Sequence, residues 1–125
     1  SQNNNFPGVD IKSPKGSTII ASRSGKIVWA SEASSGSPYN GYGICVVIDH
    51  LDGYYSVYGY LNKVSVLMGD NVSQGQTIGF VGSTGVSSIS QCHFEIRQNG
   101  NRLDPANFIT SFSKKGTMVI SGKQK

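Results

Sequence analysis

Charge is scarce in this sequence. Only 14% of its 125 residues are charged, while sixteen are glycine. Glycine interrupts helices, and the many Ser, Thr, Val, Ile and Tyr residues suit a pleated surface, so the composition excludes a helical bundle and predicts an all-β chain of short strands and tight turns. Cysteine is scarcer still: Cys45 and Cys92 permit at most one bridge, which excludes a disulfide-stapled scaffold, and their apolar flanks predict buried free thiols. No apolar run is long enough to span a bilayer, and Ser1 opens no signal peptide. A leader or anchor would lie upstream, and polar residues 1–5 read as a linker remnant. The formal charge of +4 would suit an anionic partner. However, the basic residues are scattered until Lys114, Lys115, Lys123 and Lys125, and no aromatic run or long basic helix accompanies them, which argues against nucleic acid. Residues 111–125 therefore read as a solvated tail. A hydrophobic content of 37% over this length builds one core, hence one domain over residues 6–110.

The punctuation is regular. Short strands are predicted at 9–11 and 18–21, separated by the turn Ser13-Pro14-Lys15-Gly16, and another at 25–30. Residues 31–41, rich in Ser, Gly and Pro, form a loop suited to rim a groove. Ile44-Cys45-Val46-Val47-Ile48 is a continuous β-branched apolar run, the mark of a central strand buried on both sides. Leu51-Asp52-Gly53 then turns the chain into a returning strand at 54–61. Further strands are predicted at 64–66, 77–81 and 91–98, with one helical turn at 103–109 after Asp104-Pro105.

Seven segments in order resemble the lysostaphin-type, or LytM, metallopeptidase domain, also called a duplicated hybrid motif. They are Gly8-Val9-Asp10-Ile11; Gly16 with Ala21 and Gly25; Tyr42-Gly43 with Val47-Ile48-Asp49-His50; Tyr58-Gly59-Tyr60-Leu61; Gly69-Asp70-Asn71-Val72 with Gly75-Gln76; Gly82-Ser83-Thr84-Gly85; and His93-Phe94-Glu95-Ile96-Arg97. The resemblance implies an antiparallel sandwich, or barrel-sandwich hybrid, with an open groove. In that family zinc is held by the His and Asp of a His-x-Gly-x-Asp segment and by the second His of a His-x-His strand. Two further histidines activate water and stabilise the oxyanion.

Carried over position by position, the first ligand falls on Phe6, which has no lone pair, whereas Asp10 and His93 are ligand types. Two protein ligands are fewer than the three a catalytic zinc normally has, so no zinc cofactor is expected. The catalytic histidines fall on Tyr60, a poor base at neutral pH, and on Gln91, which cannot exchange a proton. Alternation along the strand puts Gln91 and His93 on the groove face and Cys92 in the core. Tyr42 and Tyr60 occupy groove positions suited to a peptide. Asp10, His93 and His50 also have structural readings as a turn cap, a hydrogen-bonded groove residue and a strand end, and Glu95 reads as a hydrogen-bond acceptor.

The resemblance thus implies a catalytically inactive envelope protein of the periplasm or another extracytoplasmic compartment. It would bind or regulate a peptidoglycan hydrolase, as amidase activator or envelope scaffold, through the groove formed by Phe6, Asp10, Tyr42, Tyr60, Gln91 and His93. Two alternatives stand beside it: an active zinc endopeptidase using His50 or Glu95 as a third ligand, and a non-cleaving peptidoglycan-binding module. A biotinyl- or lipoyl-carrier reading of residues 69–85 fails because no Met-Lys-Met tip is present.

Overall fold

A computed structural model describes residues 7–105 and, as backbone, the strands at 109–112, 117–118 and 120–122. Phe6, the linker segment 1–5 and the four tail lysines lie outside the described residues. The described residues form twelve strands and no α-helix.

The fold turns on β5 (Tyr54–Val64), the longest strand. Its first half pairs with β8 (Gln91–Gln98), its second half pairs with β7 (Thr77–Val81), and β4 (Ile44–Asp49) runs along its other edge. The sheet forks where β5 changes partner, at Tyr60, whose φ is 66°. A left-handed backbone at a bulky residue costs about 1–3 kcal/mol and persists only where its surroundings fix it. Here the Tyr60 amide donates to Tyr42 O at 2.7 Å.

Outward from this fork, β2 (Thr18–Ile20) pairs with β7, β3 (Gly25–Glu32) pairs with β4 and with β6 (Asn71–Val72), and β8 carries β1 (Val9–Lys12) and β9 (Asn101–Leu103). These pairs are antiparallel; the parallel one described is β2 with β11 (Thr117–Met118). A separate ribbon joins β10 (Ile109–Phe112) to β12 (Ile120–Gly122).

Period-two alternation sorts the side chains. From β8, Cys92, Phe94 and Ile96 enter a core that includes Ile19, Ile27, Val46, Ile48, Tyr58, Leu61 and Ile78. Cys45, Val47 and Val57 are equally buried outside that cluster. The central strands are thus covered on both faces, as the apolar run predicts. Both cysteines are free and buried, and burial pushes the Cys45 thiol up to about 12.

Several boundaries differ from expectation. Residues 64–66 make no separate strand, because β5 gains β7 as a new partner and its ladder runs on to Val64. β3 continues to Glu32, held by the pairing of Ser31 and Glu32 with Cys45 and Ile44, so the loop begins at residue 33. Leu103 closes a strand instead of opening a helical turn, and residues 106–108 lie outside the described residues. Within residues 111–125, the backbone of Thr117 and Met118 pairs in parallel with β2 and covers that edge of the sheet.

His50 is more than a strand end. It is buried, with Nδ1–H donating to Ser24 O at 2.7 Å and Nε2 lying 2.8 Å from Ser56 Oγ. Hydroxyl hydrogen bonds continue from Ser56 to Tyr58 at 2.8 Å and from Tyr58 to Ser22 at 2.9 Å. Burial lowers the His50 pKa, outweighing the rise from its bond to Ser24. A depressed histidine makes the unfolded chain the better proton binder near its ordinary pKa, so the His50 contribution to stability falls as pH drops below about 6.5. In urea unfolding between pH 8 and pH 5, a His50→Gln variant should show a shallower acid loss than wild type; identical slopes would contradict the burial of a neutral imidazole.

Candidate functional site

The outward residues of β8 assemble the site. β1 lies antiparallel on this strand with Asp10 directly opposite His93. The two side chains meet at 2.7 Å between His93 Nδ1 and Asp10 Oδ1. The other ring nitrogen, Nε2, meets Glu95 Oε2, also at 2.7 Å. A carboxylate only accepts hydrogen bonds, so an acceptor at each ring nitrogen favours the doubly protonated form of His93.

Glu95 is fully buried and has two further donors. Arg97 Nε–H donates to Oε1 at 2.7 Å, and the Tyr42 hydroxyl donates to Oε2. Arg97 also donates to Pro38 O at 3.2 Å and packs 5.0 Å from the Tyr39 ring centre. Loop 33–43 is therefore a wall over this face of the sheet, joined to β8 through Arg97 and Glu95.

The titrations follow from these contacts. Burial opposes ionisation of Glu95, but donors on His93, Tyr42 and Arg97 outweigh it and hold the carboxyl below its usual range. Burial likewise opposes the His93 charge, and the bonds to Glu95 and Asp10 reverse the effect and raise its pKa. Burial, and then Glu95, push the Tyr42 phenol up to about 12. Tyr60 is raised by burial and by the nearby Asp10 and Glu95 charges, so it stays a neutral phenol at neutral pH.

Two tyrosine rings flank His93, Tyr42 at 4.6 Å and Tyr60 at 5.5 Å between ring centres. Gly59 permits this packing: a Cβ there would stand 3.1 Å from Tyr42 Cβ and 3.4 Å from His93 Cβ. Gln91 is half-buried at the end of β8 and donates from its amide to Ser87 Oγ at 3.1 Å. The structure thus joins Asp10, His93, Tyr42 and Tyr60 in one cluster, with Gln91 two residues along the same face of β8. His50 belongs to the separate serine–tyrosine network.

Sequence reasoning missed Arg97, Tyr39 and Pro38. Arg97 was legible in the alternation that selected Gln91, His93 and Glu95, since it stands two residues further on. Tyr39 and Pro38 carried no comparable signal, because their roles depend on the path of the loop.

The wall is anchored at its far end by two glycine-rich turns. Gly85 has φ +72°, and a Cβ there would stand 2.5 Å from Gly43 N and 2.7 Å from Tyr42 C. Gly85→Ala should cost roughly 3 kcal/mol through backbone strain and overpacking, and should displace Tyr42 from His93. Urea unfolding with His93 proton chemical shifts checks both effects; a variant as stable as wild type would mean that the two loops are not closely packed.

Whether these residues suit a zinc ion is a matter of geometry. Asp10 Oδ1 and His93 Nδ1, 2.7 Å apart, offer two of the three protein ligands that a catalytic zinc normally has. Asp10 and Glu95 address opposite nitrogens of the His93 ring and do not converge on one point. Among the described residues, no group of three or more His, Cys, Asp or Glu side chains is arranged to hold a metal ion.

The forked all-β sheet, with a ligand-type Asp and His facing each other across β1 and β8, defines a lysostaphin-type domain. The chain belongs to Peptidase family M23, which matches residues 4–105. It is similar to the murein hydrolase activator NlpD of Escherichia coli (strain K12), at 38% identity over 102 residues covering 82% of this chain and 25% of that protein. The Pseudomonas aeruginosa lipoprotein NlpD/LppB homolog is 37% identical over 82% of this chain and 32% of its own length. Among solved structures, the catalytic domain of the antimicrobial peptidase lysostaphin from Staphylococcus simulans has a TM-score of 0.73 and 36% identity, covering 82% of this chain and 77% of that one. The chain thus spans about a quarter to a third of the length of these two curated relatives.

Proposed function

We propose that this domain has given up peptide-bond cleavage and regulates a peptidoglycan hydrolase, as an amidase activator acting through the surface around Asp10, Tyr42, Tyr60, Gln91 and His93. The observation that carries the reading is the Asp10–His93–Glu95 arrangement. The two surviving ligand-type residues are hydrogen-bonded to one another, so a metal would have to displace the proton between them with only two protein ligands to hold it. Phe6, Tyr60 and Gln91 stand where the family resemblance expects a ligand and two catalytic histidines, so neither a metal-bound water nor a histidine base is provided. The name of the Escherichia coli relative, murein hydrolase activator, supports the regulatory half of the reading. The naming of the Pseudomonas relative as a lipoprotein supports a place in the extracytoplasmic envelope.

Purified chain added to each peptidoglycan amidase of its host should raise the release of dye from labelled sacculi by one of them, while the chain alone releases none. Stimulation of no host amidase would sink the activator reading. Co-sedimentation of the chain with sacculi, without any effect on a hydrolase, would replace it with simple tethering to the wall.

A further inference from the structure

The β8–β9 hairpin turns on Asn99-Gly100, both left-handed with φ of 53° and 82°, and this two-residue turn fixes the register of the two strands. It sets Arg102 directly opposite Arg97, on the same face of the sheet. Like charges placed this way destabilise a sheet. Arg97 is balanced by Glu95 at 2.7 Å, whereas half-buried Arg102 joins no ion pair among the described residues. We propose that Arg97 and Arg102, with Asn99 at the turn, form a binding site for a phosphate group.

The free donors select that chemistry. Arg97 Nε–H is taken by Glu95 at 2.7 Å, and Nη2 donates to Pro38 O at 3.2 Å and to the Tyr42 hydroxyl oxygen at 3.4 Å. The two-pronged edge with which an arginine grips a planar carboxylate is therefore occupied. What remains is Nη1 of Arg97, the guanidinium of Arg102 and the side-chain amide of Asn99. Single donors from three residues suit the separately directed oxygens of a tetrahedral anion, and a phosphate offers three strong acceptors. Arg97 and Asn99 line an open cleft none of whose lining residues is acidic, so an anion can reach them. Tyr39 stacks 5.0 Å from the Arg97 guanidinium, which is thus held in place before a ligand arrives.

The carboxylates around the hairpin are committed elsewhere. Glu95 accepts from His93, Tyr42 and Arg97. Asp52 is paired with Arg23 at 2.9 Å, and Asp49 accepts from the Leu51 amide at 2.8 Å and stands opposite Lys26. Asp104, two residues beyond Arg102, is engaged in a contact of its own. The site goes beyond hydrolase regulation and does not rest on that reading.

The test is an NMR titration of the ¹⁵N-labelled 125-residue chain with inorganic phosphate at neutral pH, with ionic strength held constant by sodium chloride. The expected result is saturable shifts of the backbone and side-chain N–H signals of Arg97, Asn99 and Arg102, with a Kd on the order of 1 mM. Arg102→Gln should weaken binding about tenfold while thermal unfolding stays cooperative. Lys63→Gln, on the far half of β5, should bind as wild type does. Two further arms separate the sources of the phosphate: glycerol 3-phosphate in solution stands for a soluble ester, and phosphatidylglycerol vesicles, in a sedimentation assay, for a lipid headgroup. Binding in either arm that Arg102→Gln weakens upholds the site. Absence of saturable shifts with phosphate, equal saturation by acetate, undiminished binding by Arg102→Gln, or failure of both the ester and the vesicles to bind would each overturn it.

Discussion

Replacing Glu95 with alanine should destabilise the domain by about 3–5 kcal/mol, the usual cost of removing one partner from a buried ion pair. Glu95 is fully buried and accepts from three side chains, so the variant leaves the His93 ring without its Nε2 partner, Arg97 without its pair, and the Tyr42 hydroxyl without its acceptor. Glu95→Gln keeps the shape, loses the charge and should cost less.

The effect has a pH signature. Because the folded-state pKa of Glu95 is depressed, its contribution is present above the ordinary carboxylate range and is lost as pH falls through the depressed value. The His93 pKa is raised, so its contribution is present below the ordinary histidine range and is lost as pH rises through the elevated value. Wild type minus Glu95→Ala should therefore be largest between those limits. Urea unfolding at pH 3, 6 and 9 measures it; a loss below about 1 kcal/mol at pH 6 would mean that Glu95 behaves like a surface carboxylate.

The second large effect concerns zinc. Wild-type protein, equilibrated with zinc and passed through a desalting column, should carry well under one ion per chain. Asp10 and His93 are the only ligand types left at the family positions, and two protein ligands do not hold a catalytic zinc. The triple variant Phe6→His, Tyr60→His, Gln91→His restores the missing ligand and both catalytic histidines. It should retain about one zinc per chain, because a metal would then compete with the proton shared between His93 and Asp10. Elemental analysis of both proteins decides the matter: one zinc per wild-type chain would contradict the loss of the site, and failure of the triple variant to gain zinc would show that more than these positions has changed.

How far the sequence foretold this arrangement depends on which interactions are local. The apolar run at 44–48, the hairpin at 51–53 and the alternation of 91–97 are local patterns, and the structure places β4, the turn and β8 where they predict. Asp10, Tyr42, Tyr60 and His93 come together because an ordered set of motifs specified the register that puts Asp10 opposite His93. What escaped is long-range. No local pattern announces that β5 changes partner at a left-handed tyrosine and continues to Val64, or that a loop rich in Ser, Gly and Pro delivers Tyr39 and Pro38 onto Arg97. Glu95 was identified as an acceptor, yet its three donors come from β8 and from a loop 53 residues away. The His50 network was similarly hidden, because Ser22 and Tyr58 meet across 36 residues of sequence.

Under the proposed function, this M23 domain would switch on another enzyme and cut nothing itself. Mass spectrometry of the products released from sacculi tests it most directly, in three reactions with zinc present: the chain alone, a host amidase alone, and the two together. The expected result is no product from the chain alone and a several-fold rise in free stem peptides, the amidase product, when the two are combined. Fragments cut within peptide cross-links in the chain-only reaction would contradict it.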